Sequence, residues 1–474
     1  MIIKTIKDGK IEEDKITLSK SPVNIPNIYI KKLDSNNILL IDSLNDYIDI
    51  IPEKLVNIDN KTCLILDRYS DVNSTEGIDK IKKRYKSNIR NYLQNDKIYS
   101  YAICLTYSCN FKCTYCFERD NLKKFKTISK SDLYDMLNLI KSEITEIRNI
   151  NSDSVIYMEL FGGEPLLTRN RELLKIIFEF ARENNLYISI TSNGYEIISL
   201  IEELICYRDV IACFCITIDG TREYHDKRRI INDKIGTFDK IVEGVQLLLE
   251  LDFKVVCATN VDKKNIDNLE SLFNFYKTES WLDYNNFSVQ IGRVDDKFNS
   301  GNKDLLTEAK LLNRISEIFK DNKPDWLSTA FLKSIERPSN ILDVGYNQIE
   351  YGKIPYNHCW ATSPIIKGCY IGPDLELYRC TVSVSNENYK VGNLRSDSSY
   401  SCYDSWLQNN IFSRKECLDC NISGYCGGGC KIEKDTYGYE YICNYNKSNF
   451  EEFIQCIALD KINKLLRDYD EKNI

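Results

Sequence analysis

Cys109, Cys113 and Cys116 fall within eight residues, Cys109-Asn110-Phe111-Lys112-Cys113-Thr114-Tyr115-Cys116. Three thiolates so spaced can wrap one face of an iron–sulfur cubane, which takes four ligands, usually all cysteine. One iron is then left open to a small molecule. The same trio also reads as half a zinc site or as three incidental cysteines. Zinc, however, wants a fourth ligand close by, and no Cys or His follows until Cys206. A second group lies near the C-terminus: Cys417-Leu418-Asp419-Cys420, then Cys426 and Cys430, with Cys443 beyond and Cys359, Cys369 and Cys380 upstream. Leaving Cys402 aside, these eight suffice for two four-thiolate sites, and two structural zinc sites are the alternative.

The rest of the composition narrows the chemistry. The chain has 474 residues, 19 of them cysteine, and only two histidines, His225 and His358. That argues against Cys₂His₂ fingers, His-rich metal sites and most Ser-His triads. Lys+Arg is 63 against Asp+Glu 70, a net charge of −7 with no strongly basic block, so no nucleic-acid partner is expected. No run reaches the roughly 18 apolar residues of a membrane span, and the N-terminus lacks a signal-peptide stretch. A cytoplasmic protein is expected, and in a reducing compartment clustered cysteines are metal ligands rather than disulfides.

Positioning these residues falls to a regular succession of elements. Six apolar runs, Tyr101 to Thr106, Val155 to Phe161, Tyr187 to Thr191, Cys213 to Ile218, Lys254 to Thr259 and Phe287 to Ile291, alternate with helical patterns. That order predicts an α/β fold with a parallel sheet covered by helices, either an open doubly wound sheet or a partial barrel. Ligands should bind at the C-terminal strand ends. Before this region, Asn37 to Ile41 and Asp46 to Ile51 read as a hairpin that Pro52 closes, with helical patterns from there to Asn95. From His358 to Cys443 the cysteine density suggests a segment organised around metal. Phe450 to Arg467 reads as an amphipathic helix. The eight cysteines outside the two groups read as small buried hydrophobes.

The spacing C-x₃-C-x₂-C, with Tyr115 before the last cysteine, resembles the radical S-adenosylmethionine superfamily. Phe161-Gly162-Gly163-Glu164-Pro165 ends the second strand, where that superfamily has its Gly-Gly-Glu motif. The resemblance implies a [4Fe–4S] cluster on Cys109, Cys113 and Cys116. It also implies S-adenosylmethionine against Gly162 and Gly163, with the Glu164 carboxylate toward the methionine ammonium. Thr191-Ser192-Asn193-Gly194 ends the third strand, and the polar groups of Ser192 and Asn193 suit ribose oxygens. Asp219-Gly220, His225-Asp226 and Arg229 resemble a further family stretch in which the Arg reaches the methionine carboxylate. Tyr115 is expected near the adenine. The low-potential cluster of such enzymes reduces the sulfonium, and the resulting radical abstracts hydrogen from an unactivated carbon.

The C-terminal cysteines resemble the SPASM extension of the same superfamily, which binds two auxiliary [4Fe–4S] clusters. The resemblance implies Cys359, Cys369, Cys380 and Cys430 for one and Cys417, Cys420, Cys426 and Cys443 for the other. Where the family usually has Gly five residues before the third of these, this chain has Leu375. The expected architecture is a partial (β/α)6 TIM-like barrel at 96–345, preceded by a winged-helix-like leader-peptide recognition unit at 1–95 and followed by the SPASM unit at 346–474. Sulfatase-maturing relatives tend to carry Asp, as catalytic base, directly after the cysteine matching Cys380, where this chain has Thr381, and they generally lack such an N-terminal unit. Thioether formation on a Cys-rich ribosomal precursor peptide bearing a leader is therefore expected, with a reductase, ferredoxin or flavodoxin as electron donor. Carbon–carbon crosslinking, epimerisation, formylglycine formation and a zinc-stabilised binding protein are the alternatives.

Overall fold

The computed structural model describes residues 2–25, 27–65, 69, 75–95, 98–118, 125–231, 235–320, 322–346, 356–364, 368–399 and 402–472. The boundaries expected at 95/96 and 345/346 abut 96–97 and 347–355, which lie outside the described residues.

The N-terminal region is rich in strand: β1 (Ile2–Lys7), β2 (Lys10–Lys15), β3 (Leu18–Asn24), β4 (Tyr29–Lys32), β5 (Asn37–Asp42), β6 (Tyr47–Pro52), β7 (Val56–Asn57) and β8 (Thr62–Ile65), then helix α1 (Thr75–Asn95). Five strands form an antiparallel sheet in the order β2-β1-β6-β5-β4, and three more the order β3-β8-β7. The expected hairpin is β5–β6, running from Asn37 opposite Pro52 to Asp42 opposite Tyr47. Its turn is held by Asp42, whose Oδ1 accepts the backbone N–H groups of Leu44 (3.0 Å) and Asn45 (3.2 Å). The stretch from Pro52 to Asn95, expected to be helical, is so in a 3-10 turn at Glu53–Leu55 and in α1, but between them it supplies β7 and β8. In β8, Cys63 and Ile65 face inward while Thr62 and Leu64 are half-buried, a period of two that suits a strand.

All six apolar runs are strands: β9 (Ile98–Cys104), β10 (Val155–Phe161), β11 (Tyr187–Ser192), β12 (Ile211–Thr217), β13 (Val255–Val261) and β14 (Phe287–Arg293). They pair in parallel in chain order, and a two-residue β15 (Leu327–Ser328) extends the far edge. Helices α2 (Lys130–Ile150), α3 (Arg171–Glu183), α4 (Ile201–Cys206), α5 (Arg222–Arg228), α6 (Phe238–Glu250), α7 (Leu269–Thr278) and α8 (Glu308–Phe319) connect them. Ile188, Ile190, Phe214, Ile216, Val255, Val289 and Ile291 point to the helical layer and are buried. The opposite face carries small or polar side chains, Ser189, Thr191, Cys213, Cys215, Ala258 and Gln290, all half-buried. A closed (β/α)8 barrel fills its lumen with bulky branched residues; this half-open trough lines the same face of β11–β14 with small or polar ones.

The cysteine-rich segment continues the same sheet. Its β16 (Gly368–Ile371) lies parallel to β9, and β17 (Glu376–Tyr378), β18 (Lys390–Asn393) and β19 (Ser396–Ser399) follow antiparallel. The expected C-terminal helix lies within a longer helical run, Tyr439–Phe453, a π-helical turn at Ile454–Ala458, and Leu459–Lys472. Cys206 and Cys456 are exposed and Cys213 and Cys215 half-buried, which corrects their expectation as core residues. Cys63, Cys104 and Cys257 are buried as expected.

Candidate functional site

Cys109, Cys113 and Cys116 sit on the loop leaving the C-terminal end of β9. The loop is tied to the turn after α5, where Lys112 N donates to Ile230 O (2.6 Å) and Thr114 N to Arg228 O (2.9 Å). It is tied to the second strand end by Glu164 N donating to Ser108 O at 2.9 Å. Burial pushes the Cys116 thiol up to about 12, with Glu118 and Cys113 adding to it. Burial likewise raises Cys109 and Cys113. Three half-buried thiols that disfavour ionisation need a cationic group to become thiolates. Among the described residues no three His, Cys, Asp or Glu side chains are gathered tightly enough for a single metal ion. A cubane is several atoms across and spreads its ligands wider, so this donor set suits a cluster better than one zinc.

Gly162 and Gly163 end β10 at φ 79° and 52°. A Cβ at Gly163 would lie 2.4 Å from Ser108 O and 2.6 Å from Thr106 O, so only glycine lets this turn press against the cysteine loop. Glu164 is 2% exposed. Its Oε1 accepts from Leu166 N (2.9 Å) and Ser192 Oγ (2.7 Å), and its Oε2 from Asn193 N (2.7 Å). The carboxylate expected to face an ammonium is thus a brace between the ends of β10 and β11, and it engages the Ser192 hydroxyl expected at a ribose. Burial pushes its pKa up to about 7 despite these bonds. Asn193 Nδ2 donates to Asn110 Oδ1 at 2.7 Å, inside the cysteine loop. Glu118, two residues past Cys116, accepts from Gly163 N through Oε2 at 3.0 Å, and its buried Oε1 has no partner among the described residues.

The fourth and fifth strand ends complete the pocket wall. Tyr115 donates its hydroxyl to Asp219, and receives Arg229 Nη1 at 2.9 Å and Asn260 Nδ2 at 3.3 Å. Arg228 pairs with Asp262 at 2.7 Å and lies over the Tyr115 ring at 4.8 Å. Asp219 N approaches His225 Nδ1 at 3.4 Å, and burial holds that imidazole well below its ordinary pKa. Asp226 instead caps α6, accepting from Thr237 N and Phe238 N. Four buried polar atoms here have no hydrogen-bond partner among the described residues, Glu118 Oε1, His225 Nε2, Arg228 Nε and Arg229 Nε, and Glu118 and Arg229 act electrostatically on Cys116. Such unsatisfied polar atoms beside the thiols fit a polar, amino-acid-like ligand such as S-adenosylmethionine.

The C-terminal cysteines form two sets. Cys417, Cys420, Cys426 and Cys443 lie close enough to act on one another electrostatically, and Asn446 Nδ2 donates to Cys426 Sγ at 3.3 Å. Cys359, Cys380 and Cys430 form the other set. Cys369 opens β16 and couples instead to Glu143 and Arg379. Arg379, 2% exposed, reaches Ala361 O, Ser363 O and Gly368 O at 3.1–3.3 Å, and so ties the loop after Cys359 to the start of β16. Leu375 stands at φ 66°, so the turn keeps a left-handed residue although glycine is absent from it. Glu118, Arg379 and the buried Lys434 between the two cysteine sets were missed by motif reading. Only Glu118 carries a sequence signal, its position two residues after the three-cysteine motif.

Residues 103–276 match the Radical SAM superfamily. A cysteine-type anaerobic sulfatase-maturating enzyme of Clostridium novyi is 24% identical over 73% of this chain and 92% of its own. A serine-type counterpart from Bacteroides thetaiotaomicron is 23% identical over 74% and 87%. Among solved structures, native anSMEcpe with bound AdoMet and Cp18Cys peptide superposes with a TM-score of 0.58 at 18% identity, over 78% of this chain and 99% of that one. Streptococcus suis SuiB bound to precursor peptide SuiA gives 0.51 at 14%, over 87% and 96%. Among the described residues no helix is long and apolar enough to cross a membrane. Residues 103–276 are therefore the radical SAM domain of an enzyme, inside a fold that the chain shares with the anSMEcpe and SuiB structures.

Proposed function

We propose that this enzyme takes a hydrogen atom from a cysteine-rich ribosomal precursor peptide and installs a thioether crosslink, using S-adenosylmethionine and three [4Fe–4S] clusters. The observation that carries the reading is the docking of the three-cysteine loop against Gly163 and Asn193 at successive C-terminal strand ends and against Arg229 just past α5. When bound, cofactor and cluster supply a carbon-centred radical able to break an unactivated C–H bond. Cys109, Cys113 and Cys116 would hold the first cluster, and Arg229 the carboxylate end of the cofactor. Tyr115, itself fixed by Asp219 and Asn260, keeps Arg229 aimed. Cys359, Cys369, Cys380 and Cys430 would hold one auxiliary cluster, and Cys417, Cys420, Cys426 and Cys443 the other. Electrons would come from a ferredoxin, flavodoxin or reductase.

A peptide substrate is supported by the peptides in the anSMEcpe and SuiB structures and by the half-open trough beside β11–β14. Its leader would add to β2, an edge of the N-terminal sheet whose residues are mostly exposed, by main-chain pairing. Amide hydrogen exchange across Lys10–Lys15 should slow when leader-bearing peptide is added; unchanged exchange would remove β2 from recognition. Sulfatase maturation is the second reading, favoured by the sequence relatives. Against it stand Thr381, directly after Cys380, and the strand-rich N-terminal unit. Mass spectrometry of a co-expressed Cys-rich precursor decides: loss of two hydrogens per event is expected, and an unmodified mass would reject crosslinking. Formylglycine on a sulfatase peptide would establish the second reading.

A further inference from the structure

A buried cation stands between the two C-terminal cysteine sets. Lys434 lies on the short helix Lys431–Tyr437, which begins directly after Cys430, and it is 7% exposed. Its Nζ donates to Asn409 Oδ1. That amide is fixed, because Asn409 Nδ2 donates to Gly429 O at 2.9 Å, so its oxygen is the end turned to the ammonium. The Tyr439 ring lies 4.8 Å from Nζ and also receives the Arg414 guanidinium. Neither an amide nor an aromatic ring brings the full negative charge that a buried ammonium needs. No carboxylate pairs with Lys434 among the described residues.

The cations around it are matched differently. Lys297 pairs with Asp295 and Glu433, each at 2.9 Å. Arg293 pairs with Asp295 at 2.8 Å, and Lys431 with Asp435 at 2.8 Å. What Lys434 has instead is sulfur. Burial holds its pKa below the ordinary lysine value, and Cys426, Cys417 and Cys430 pull it back up. The first two belong to one cysteine set and the third to the other. A thiol is neutral, so these side chains balance Lys434 only as thiolates on a metal centre. A cubane on four thiolates is anionic, and each electron it accepts makes it more so. One cation without a carboxylate, shared by two such donor sets, fits two anionic clusters.

We propose that Lys434 is the shared counter-ion of the two auxiliary clusters, and that its fixed positive charge favours their reduced states and so raises the reduction potential of both. This rests on the reading of the two cysteine sets as [4Fe–4S] sites. Nearby charge is one of the levers that set a cluster's potential, and a buried charge is little screened by solvent or salt.

The test is an EPR-monitored redox titration of the anaerobically reconstituted full chain in which Cys109, Cys113 and Cys116 are all replaced by alanine, so that the auxiliary clusters alone report. Dithionite supplies the electrons through soluble mediators. This parent should hold about eight irons, about four per cubane. Lys434→Met keeps most of the side-chain stem and removes the charge; with the same iron content, both midpoint potentials should fall. Lys434→Arg keeps the charge, and its midpoints should stay near those of the parent. Unchanged midpoints in K434M at full iron, or an equal fall in K434R, overturn the proposal. If K434M loads less iron, K434R decides. Full loading there assigns the loss to charge and upholds the counter-ion; equal loss in both shows a packing role and overturns it. A parent that binds no iron, or about two zincs, would instead reject the auxiliary clusters themselves, a separate failure.

Discussion

Leu375 shows how a residue can obscure a turn that the backbone keeps. Its φ of 66° costs an L-residue about 1–2 kcal/mol, and glycine would relieve that. Yet the side chain is 1% exposed, and deleting a buried leucine costs about 2–5 kcal/mol. Lost packing outweighs relieved strain, so Leu375→Gly should lower the melting temperature of the apo-protein; a rise would show that strain dominates here. Asp42 gives a second test at this scale. Burial pushes its carboxyl up to about 6, despite three hydrogen bonds that favour the charged form. A folded pKa above the unfolded one near 3.9 means that its stabilisation is complete below about pH 4 and lost as pH rises through 6. Between those values the urea midpoint of the wild type should fall, and the Asp42→Asn protein should show a flatter slope. Equal slopes would place the titration elsewhere. The sequence marks Asp42 as a turn residue between the two hairpin strands but not its protonation state, which comes from tertiary burial.

Elements were legible where the pattern is strong and local. Six apolar runs separated by helical patterns predict six parallel strands, since a parallel neighbour is reached only through a crossover, usually a helix, and β9 to β14 follow that order. Less legible were β7 and β8, because two- and four-residue strands owe their existence to pairing partners. The union of β16 with β9 was hidden as well, since it joins residues more than 260 positions apart. Of the candidate site, the cysteines and glycines were readable from spacing. The direction of the Glu164 carboxylate was not, because it depends on where β11 ends. Strand ends and cysteine loop therefore act as one unit, and Gly163→Ala tests this. Its Cβ would meet Thr106 and Ser108 carbonyl oxygens within 2.6 Å, and backbone atoms cannot swing aside as side chains can. Iron retained after reconstitution should drop while helical circular dichroism persists. Full iron loading would show that the loop has slack.

The N-terminal unit is less separable from the rest of the molecule than its place in the chain suggests. Arg84 Nη2 reaches Leu44 O and Tyr356 Oη, Tyr85 Oη donates to Asn357, and Arg337 pairs with Asp46. Asn27 Nδ2 donates to Leu418 O at 2.7 Å, between Cys417 and Cys420. Tightest of all is Gly424, whose N–H meets Ser43 Oγ at 3.2 Å and where an added Cβ would fall 1.8 Å from Ser43 O. The turn of the β5–β6 hairpin is thus pressed onto the loop that carries Cys417, Cys420 and Cys426. Removing residues 1–95 would strip that loop of its support as well as any leader site, so truncation would confound recognition with cluster binding. Gly424→Ala separates the two, because it pushes the hairpin away while leaving β2 intact. On the proposed three-cluster reading, the variant should lose the irons of the set containing Cys417, about four of about twelve, and keep the EPR signal of the centre at Cys109, Cys113 and Cys116. Retention of all the iron would mean that the loop holds its cluster without the hairpin, and the N-terminal unit would then be an independent appendage.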